Sequence, residues 1–229
     1  MPISYRPRNH AERDQVVAGL THYLGSADPN PTLVALDAAF FATARATFAE
    51  TRDASLRAAS AARVATAGLA GAGDRFHAAL RLFAGSARDE HGHATPRVLA
   101  ELLGGVRPSR MRRRSFQEEV HRARGLLTRL ERRPDLRCSA EHTEGLREHT
   151  EALAAALRAL EEAARALAAA TDALVDARDA FDQSYSRLVR AALVMVDARA
   201  VSLALPRFAR REGPGAGECC QSPQFGLFP

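Results

Sequence analysis

A few groups of residues have types and spacings that suit chemistry. Glu118 and His121 form an E-x-x-H in "EEVH". On a helix they share a face, and a carboxylate beside an imidazole suits a divalent metal. Di-metal chemistry in a helical bundle needs two such motifs and two further glutamates on facing helices. The chain does not offer that set, and Glu118 has a simpler role in a capping box with Ser115. Asp89, Glu90, His91 and His93 in "DEHGH" are rich in ligand atoms but fall in a polar, loop-like stretch, 85–96. Cys138 and His142 are four apart, with Arg137 beside the thiol. A nucleophilic cysteine needs an oriented base and a cleft, and neither is visible. His142 and His149 lie among glutamates, whose charge suits the start of a helix. No metal and no cofactor is expected.

The strongest binding candidate is Arg110, Arg112, Arg113 and Arg114 in "RPSRMRRRSF". Between Arg107 and Arg137 there are 11 arginines against four acids, while the rest of the chain has 21 arginines and 23 acids. The net charge of +5 therefore belongs to one segment. Phosphates held there would release counterions, so their affinity would fall with salt. Apart from Phe116, no aromatic residue interleaves to stack a base. A solvated basic surface is the simpler expectation, with nucleic acid as the lesser one.

All 32 basic residues are arginine, and there is no lysine. That excludes a P-loop lysine, a Schiff-base lysine, a kinase-type lysine and S-x-x-K chemistry. The glycines of "GLAGAGD" do not fit a dinucleotide fingerprint. The chain is expected not to be an enzyme. Cys138, Cys219 and Cys220 have no metal-ligand spacing. With no signal-like start in "MPISYRPRNHAERDQ", a cytoplasmic protein is expected. The most apolar window, 191–205, contains Asp197 and Arg199 and is too short to span a bilayer.

The elements that must position these residues are helices. Alanine supplies about one residue in five, and Leu, Arg and Glu supply much of the rest. A first helix over 9–24 opens at Asn9, with Glu12 completing a capping box and Val16, Val17, Leu20, Tyr23 and Leu24 as its apolar face. A second, over 32–67, carries Val34, Phe41, Phe48, Ser55, Ala62 and Leu69 on one sevenfold stripe. Its end is expected at the glycines of 68–74. Shorter helices are expected over 74–84, 96–103 and 116–132, the last capped by Ser115.

From Leu146 to Leu205 there are 60 residues without Gly, Pro or Asn. Every seventh residue gives Leu146, Leu153, Leu160, Leu167, Leu174, Phe181, Leu188 and Met195. One helix over 146–205 is expected. A straight α-helix drifts by about 20° per heptad against such a stripe, so a long partner helix must wind around it. The positions four along, Thr150, Leu157, Ala164, Thr171, Arg178, Tyr185 and Ala192, would complete the seam. A basic segment before a leucine heptad suggests a DNA-binding zipper. That arrangement needs the basic region continuous with the coil, whereas Gly125, Pro134 and Gly145 intervene here.

The expected fold is all-α, an elongated antiparallel bundle of long heptad-patterned helices in one domain, 1–212. A tail, 213–229, ends on Phe225, Leu227 and Phe228, an apolar segment suited to docking on a partner. The expected function is a non-enzymatic scaffold or adaptor working through protein–protein contacts. A homo-oligomer through the heptad helices is one form of it. The alternatives are a nucleic-acid-associated bundle using Arg107–Arg137 and a helical protein on a lipid or granule surface.

Overall fold

The computed structural model describes residues 3–5, 7–91, 95–112, 114–133 and 139–209. The fold is all-α. The helices are α1 (His10–Leu24), α2 (Pro31–Phe40), α3 (Ala42–His91), α4 (Thr95–Leu102), α5 (Pro108–Met111), α6 (Phe116–Glu131), α7 (Ala140–Met195) and α8 (Ala198–Ala204). Two short strands, β1 (Ile3–Ser4) and β2 (Phe208–Ala209), pair antiparallel. The long helices α3 and α7 pack against each other.

Local chemistry accounts for most helix starts. Asn9 caps α1 by accepting from the Glu12 backbone N–H at 2.9 Å. The Glu12 carboxylate accepts from the Arg8 backbone N–H rather than from that of Asn9, one residue beyond a standard capping box. Asn30 caps α2, with Pro31 in its first turn. Ser115 caps α6 as expected.

Several helix boundaries differ from expectation, among them the start of α7, at Ala140 rather than 146. The glycines at 68, 71 and 73 do not end the second helix, which continues to His91. Gly in a helix costs about 1 kcal/mol each, but Leu69, Ala72, Phe76, Leu80 and Phe83 bury their side chains over that stretch. At Gly73 the missing side chain lets the Phe116 ring come close, because a Cβ there would stand 2.6 Å from that ring and the ring would have to shift. A break instead separates α2 from α3 at Phe41, with a bend of 59°. No Gly or Pro marks it; Phe41 ends α2 with φ −131° and sinks into the aromatic core. The phase is thereby reset, and Val34 is exposed rather than on the buried stripe. Finally, α7 stops at Met195, and Asp197 starts α8 by accepting from the Ala200 backbone N–H.

Contacts divide the chain into two compact units. The first comprises residues 1–48 and 177–229. Its core is an aromatic group: Phe41 meets Phe181 edge-on at 4.8 Å, Phe48 lies 4.9 Å from Phe181, and Phe41 lies 5.4 Å from Tyr185. As residue numbers fall along α7 they rise along α3, so the two helices run antiparallel. Val16 and Leu20 of α1 and Val201 and Ala204 of α8 are also buried. Buried Arg13 grips Asp182 through two bonds of 2.9 and 2.6 Å, which ties α1 to α7.

The second unit comprises residues 49–176. Its core joins Phe76, Leu80 and Phe83 of α3 to Leu99 of α4, Met111 of α5, Val120 and Leu126 of α6, and Leu146 and Leu153 of α7. Thr150 is fully buried on α7 because its hydroxyl donates to the Leu146 carbonyl at 2.7 Å.

The α7 stripe is buried at Leu146, Leu153, Phe181 and Leu188 and half-buried at Leu160, Leu167 and Leu174. Met195 is 62% exposed. The companion positions only partly match expectation. Thr150, Tyr185 and Ala192 are buried, and Leu157 and Arg178 half-buried, but Ala164 and Thr171 are exposed. There the seam turns to the positions three along: Ala156, Ala163 and Ala170 are half-buried and Ala177 is buried. Toward its two ends α7 has further helices to cover its flank; over 155–176 its covered face is narrower. The matching half-buried residues of α3 include Ser55, Ala58, Ala62 and Ala65.

Phe181→Ala is expected to destabilise the protein by about 3–5 kcal/mol, the cost of emptying an aromatic core site. Met195→Ala, two heptads on, should stay within about 0.5 kcal/mol. Chemical denaturation of both variants measures the contrast.

Candidate functional site

The basic segment folds into α5, α6 and the turns around them. α4 ends in a turn where Gly104 and Gly105 take φ of 68° and 87°, the left-handed region that favours glycine. The carbonyls at that end are met by arginines from α6. Arg122 donates to the carbonyls of Leu103 and Gly104, each at 3.0 Å, and Arg129 donates to that of Leu102. The Arg129 guanidinium lies beside Gly125, in ordinary contact range of where a Cβ would stand. Positive charge at a helix C-terminus also suits the macrodipole. These arginines bind the protein itself.

Other arginines of the segment have acidic partners. Arg124 holds Glu151 of α7 through bonds of 2.8 and 2.6 Å. That bond from Arg124 holds the Glu151 carboxyl below its ordinary value. Among the expected anion contacts, Arg110, Arg112 and Arg114 are exposed. Arg112 lies 3.6 Å from Asp74, and Arg114 lies 3.6 Å from Glu118. Arg113 lies outside the described residues, as do His93, Cys138, Cys219, Cys220 and the tail with Phe225, Leu227 and Phe228.

Glu118 and His121 both line an open groove of about 290 Å³ with Leu103, Gly104, Arg122, Gly125 and Arg129. Glu118 accepts from Arg122 at 2.9 Å. A second groove of about 250 Å³ is lined by Val98, Glu101, Leu102, Arg129, Arg132 and Arg133. Among the described residues no three His, Cys, Asp or Glu side chains gather as a metal site. Asp89, Glu90 and His91 fall in the last turn of α3 rather than in a loop.

The neighbouring carboxylate is the unusual one. Glu119 is 1% exposed, and its Oε1 lies 2.9 Å from Nε2 of His77 on α3. Its second oxygen, Oε2, is buried with no hydrogen-bond partner. Burial pushes the Glu119 carboxyl above its usual range, and the bond to His77 opposes that only in part. Sequence reasoning weighed Glu118 and His121 on this helix, set them aside as a metal site, and missed this pair. Its one signal was the position of Glu119 beside Val120 and four before Ala123, on the side of α6 that faces inward.

The chain matches no family model, no curated protein and no solved structure. No single helix among the described residues is long and apolar enough to cross a membrane.

Arg122→Gln should cost about 1–3 kcal/mol, because it removes the charged donor from the part-buried Leu103 carbonyl and from that of Gly104. Arg110→Gln, on the surface, should stay within about 0.5 kcal/mol. Denaturant titration of the two single variants checks this difference.

Proposed function

We propose that the protein is a non-enzymatic scaffold that works through protein–protein contacts. The observation that supports this reading best is the surface of the second unit along α3 and α7. There Leu56 is 59%, Val64 70% and Val175 41% exposed, among alanines that add little bulk. A partner helix can approach closely over such small residues and bury the larger ones. The basic segment supports a nucleic-acid surface less well, because Arg122, Arg124 and Arg129 are engaged within the protein.

Leu56→Glu with Val64→Glu tests the proposal. Both side chains are exposed, so the melting temperature should hold. Proteins cross-linked to the wild-type chain in its native cells should no longer be recovered with the variant. An unchanged set of cross-linked proteins would remove this surface as the binding site.

A further inference from the structure

The His77–Glu119 pair has features that a simple structural contact does not need. A carboxylate 1% exposed to solvent has one bond to an imidazole and a second oxygen with none. Two apolar residues, or a fully satisfied polar pair, would hold α6 on α3 with less desolvation. The pair is enclosed by rings: Phe76 lies 5.5 Å from the His77 ring and Phe116 lies 6.5 Å from it. Phe116 in turn rests against Gly73, where a side chain would displace the ring. His77 belongs to α3 and Glu119 to α6, so this contact joins two elements far apart in the chain.

The charged groups around the pair are few. Arg112, after α5, lies on the Glu119 side but is itself exposed and next to Asp74 of α3. On α6, Glu118 is engaged by Arg122. On α7, Glu161 accepts from Gln117 of α6 at 3.3 Å. The imidazole is therefore the group placed to balance the buried carboxylate. With one proton between them the pair is neutral overall. With none, a negative charge is left in a nearly dry site, where it is costly.

We propose that His77 and Glu119 form a proton-operated clasp that fastens α6 over α3. The clasp is closed when the pair holds a proton, and α6 is held less firmly when the proton leaves. No covalent chemistry is involved; the proton exchanges with solvent. The sign follows from linkage. A carboxyl that keeps its proton to higher pH in the folded state gives stability that is complete below its unfolded value of about 4.5. That stability is lost as pH rises through the folded value. This inference goes beyond the scaffold reading and stands or falls apart from it.

Hydrogen exchange of the full chain tests the clasp, measured from about pH 4.5 to about pH 8 and corrected for intrinsic exchange rates. The amides of α6 should lose protection as pH rises, by up to about tenfold per pH unit, the limit for one proton. The amides of α1, which belong to the other unit, serve as the control. Glu119→Gln keeps an acceptor for His77 but cannot ionise, so the loss of α6 protection with rising pH should vanish. Glu119→Met gives the same reading if the glutamine variant folds poorly. Protection of α6 that is flat in the wild type, or a loss of protection with rising pH that survives both substitutions, would overturn the proposal.

Discussion

The structure depends on α3 and α7 covering each other. Each is too polar on its outer face, and too apolar on its inner one, to stand alone in water. Helical propensity from alanine and leucine makes the long helices cheap to form, but propensity alone does not hold a rod of 56 residues in place. Apolar burial does so at the places where further helices join. Phe41, Phe48, Phe181 and Tyr185 form one such place, and Phe76, Phe83, Leu126 and Leu146 another. The seam over α7 residues 155–176 is made chiefly of leucine facing alanine, serine and more alanine. Small residues allow close approach there, at the cost of little buried area per residue.

A separate local need accounts for two of the arginines in the basic segment. α4 is short, ends in two glycines with positive φ, and would leave several carbonyls without partners. Guanidinium groups from α6 fill that need, since one arginine can reach two carbonyls and a carboxylate at once, as Arg122 does. The arginines at 122 and 129 thus act as caps for a neighbouring helix.

Much of the fold was legible in the chain, for physical reasons that can be named. Capping chemistry is local, so Asn9 and Ser115 marked their helices correctly. The sevenfold stripe from Leu146 to Leu188 was visible because burial on a long helix repeats with its turn. Features decided by packing at a distance were not visible. The break at Phe41 comes from a ring drawn into a core assembled from α7. The continuation of α3 through its glycines rests on the burial of Leu69, Ala72, Phe76, Leu80 and Phe83 against helices distant in sequence. The clasp was hidden because a glutamate at an inward position looks like any other until His77 is beside it. The choice between Ala163 and Ala164 was hidden too, since residues three and four along a helix are equally good neighbours until a partner selects one.

That choice allows the most direct test of the helix pairing. Ala163 is half-buried and Ala164 is exposed, although the two are adjacent, identical in type and in the same helix. An aspartate at either site changes helix propensity equally. If α3 covers α7 along the positions three along, Ala163→Asp should cost about 1–3 kcal/mol in denaturant unfolding, the cost of forcing a charge into the seam. Ala164→Asp should stay close to the ordinary surface value of about 0.5 kcal/mol. Equal losses at the two positions, or a greater loss at Ala164, would contradict the pairing.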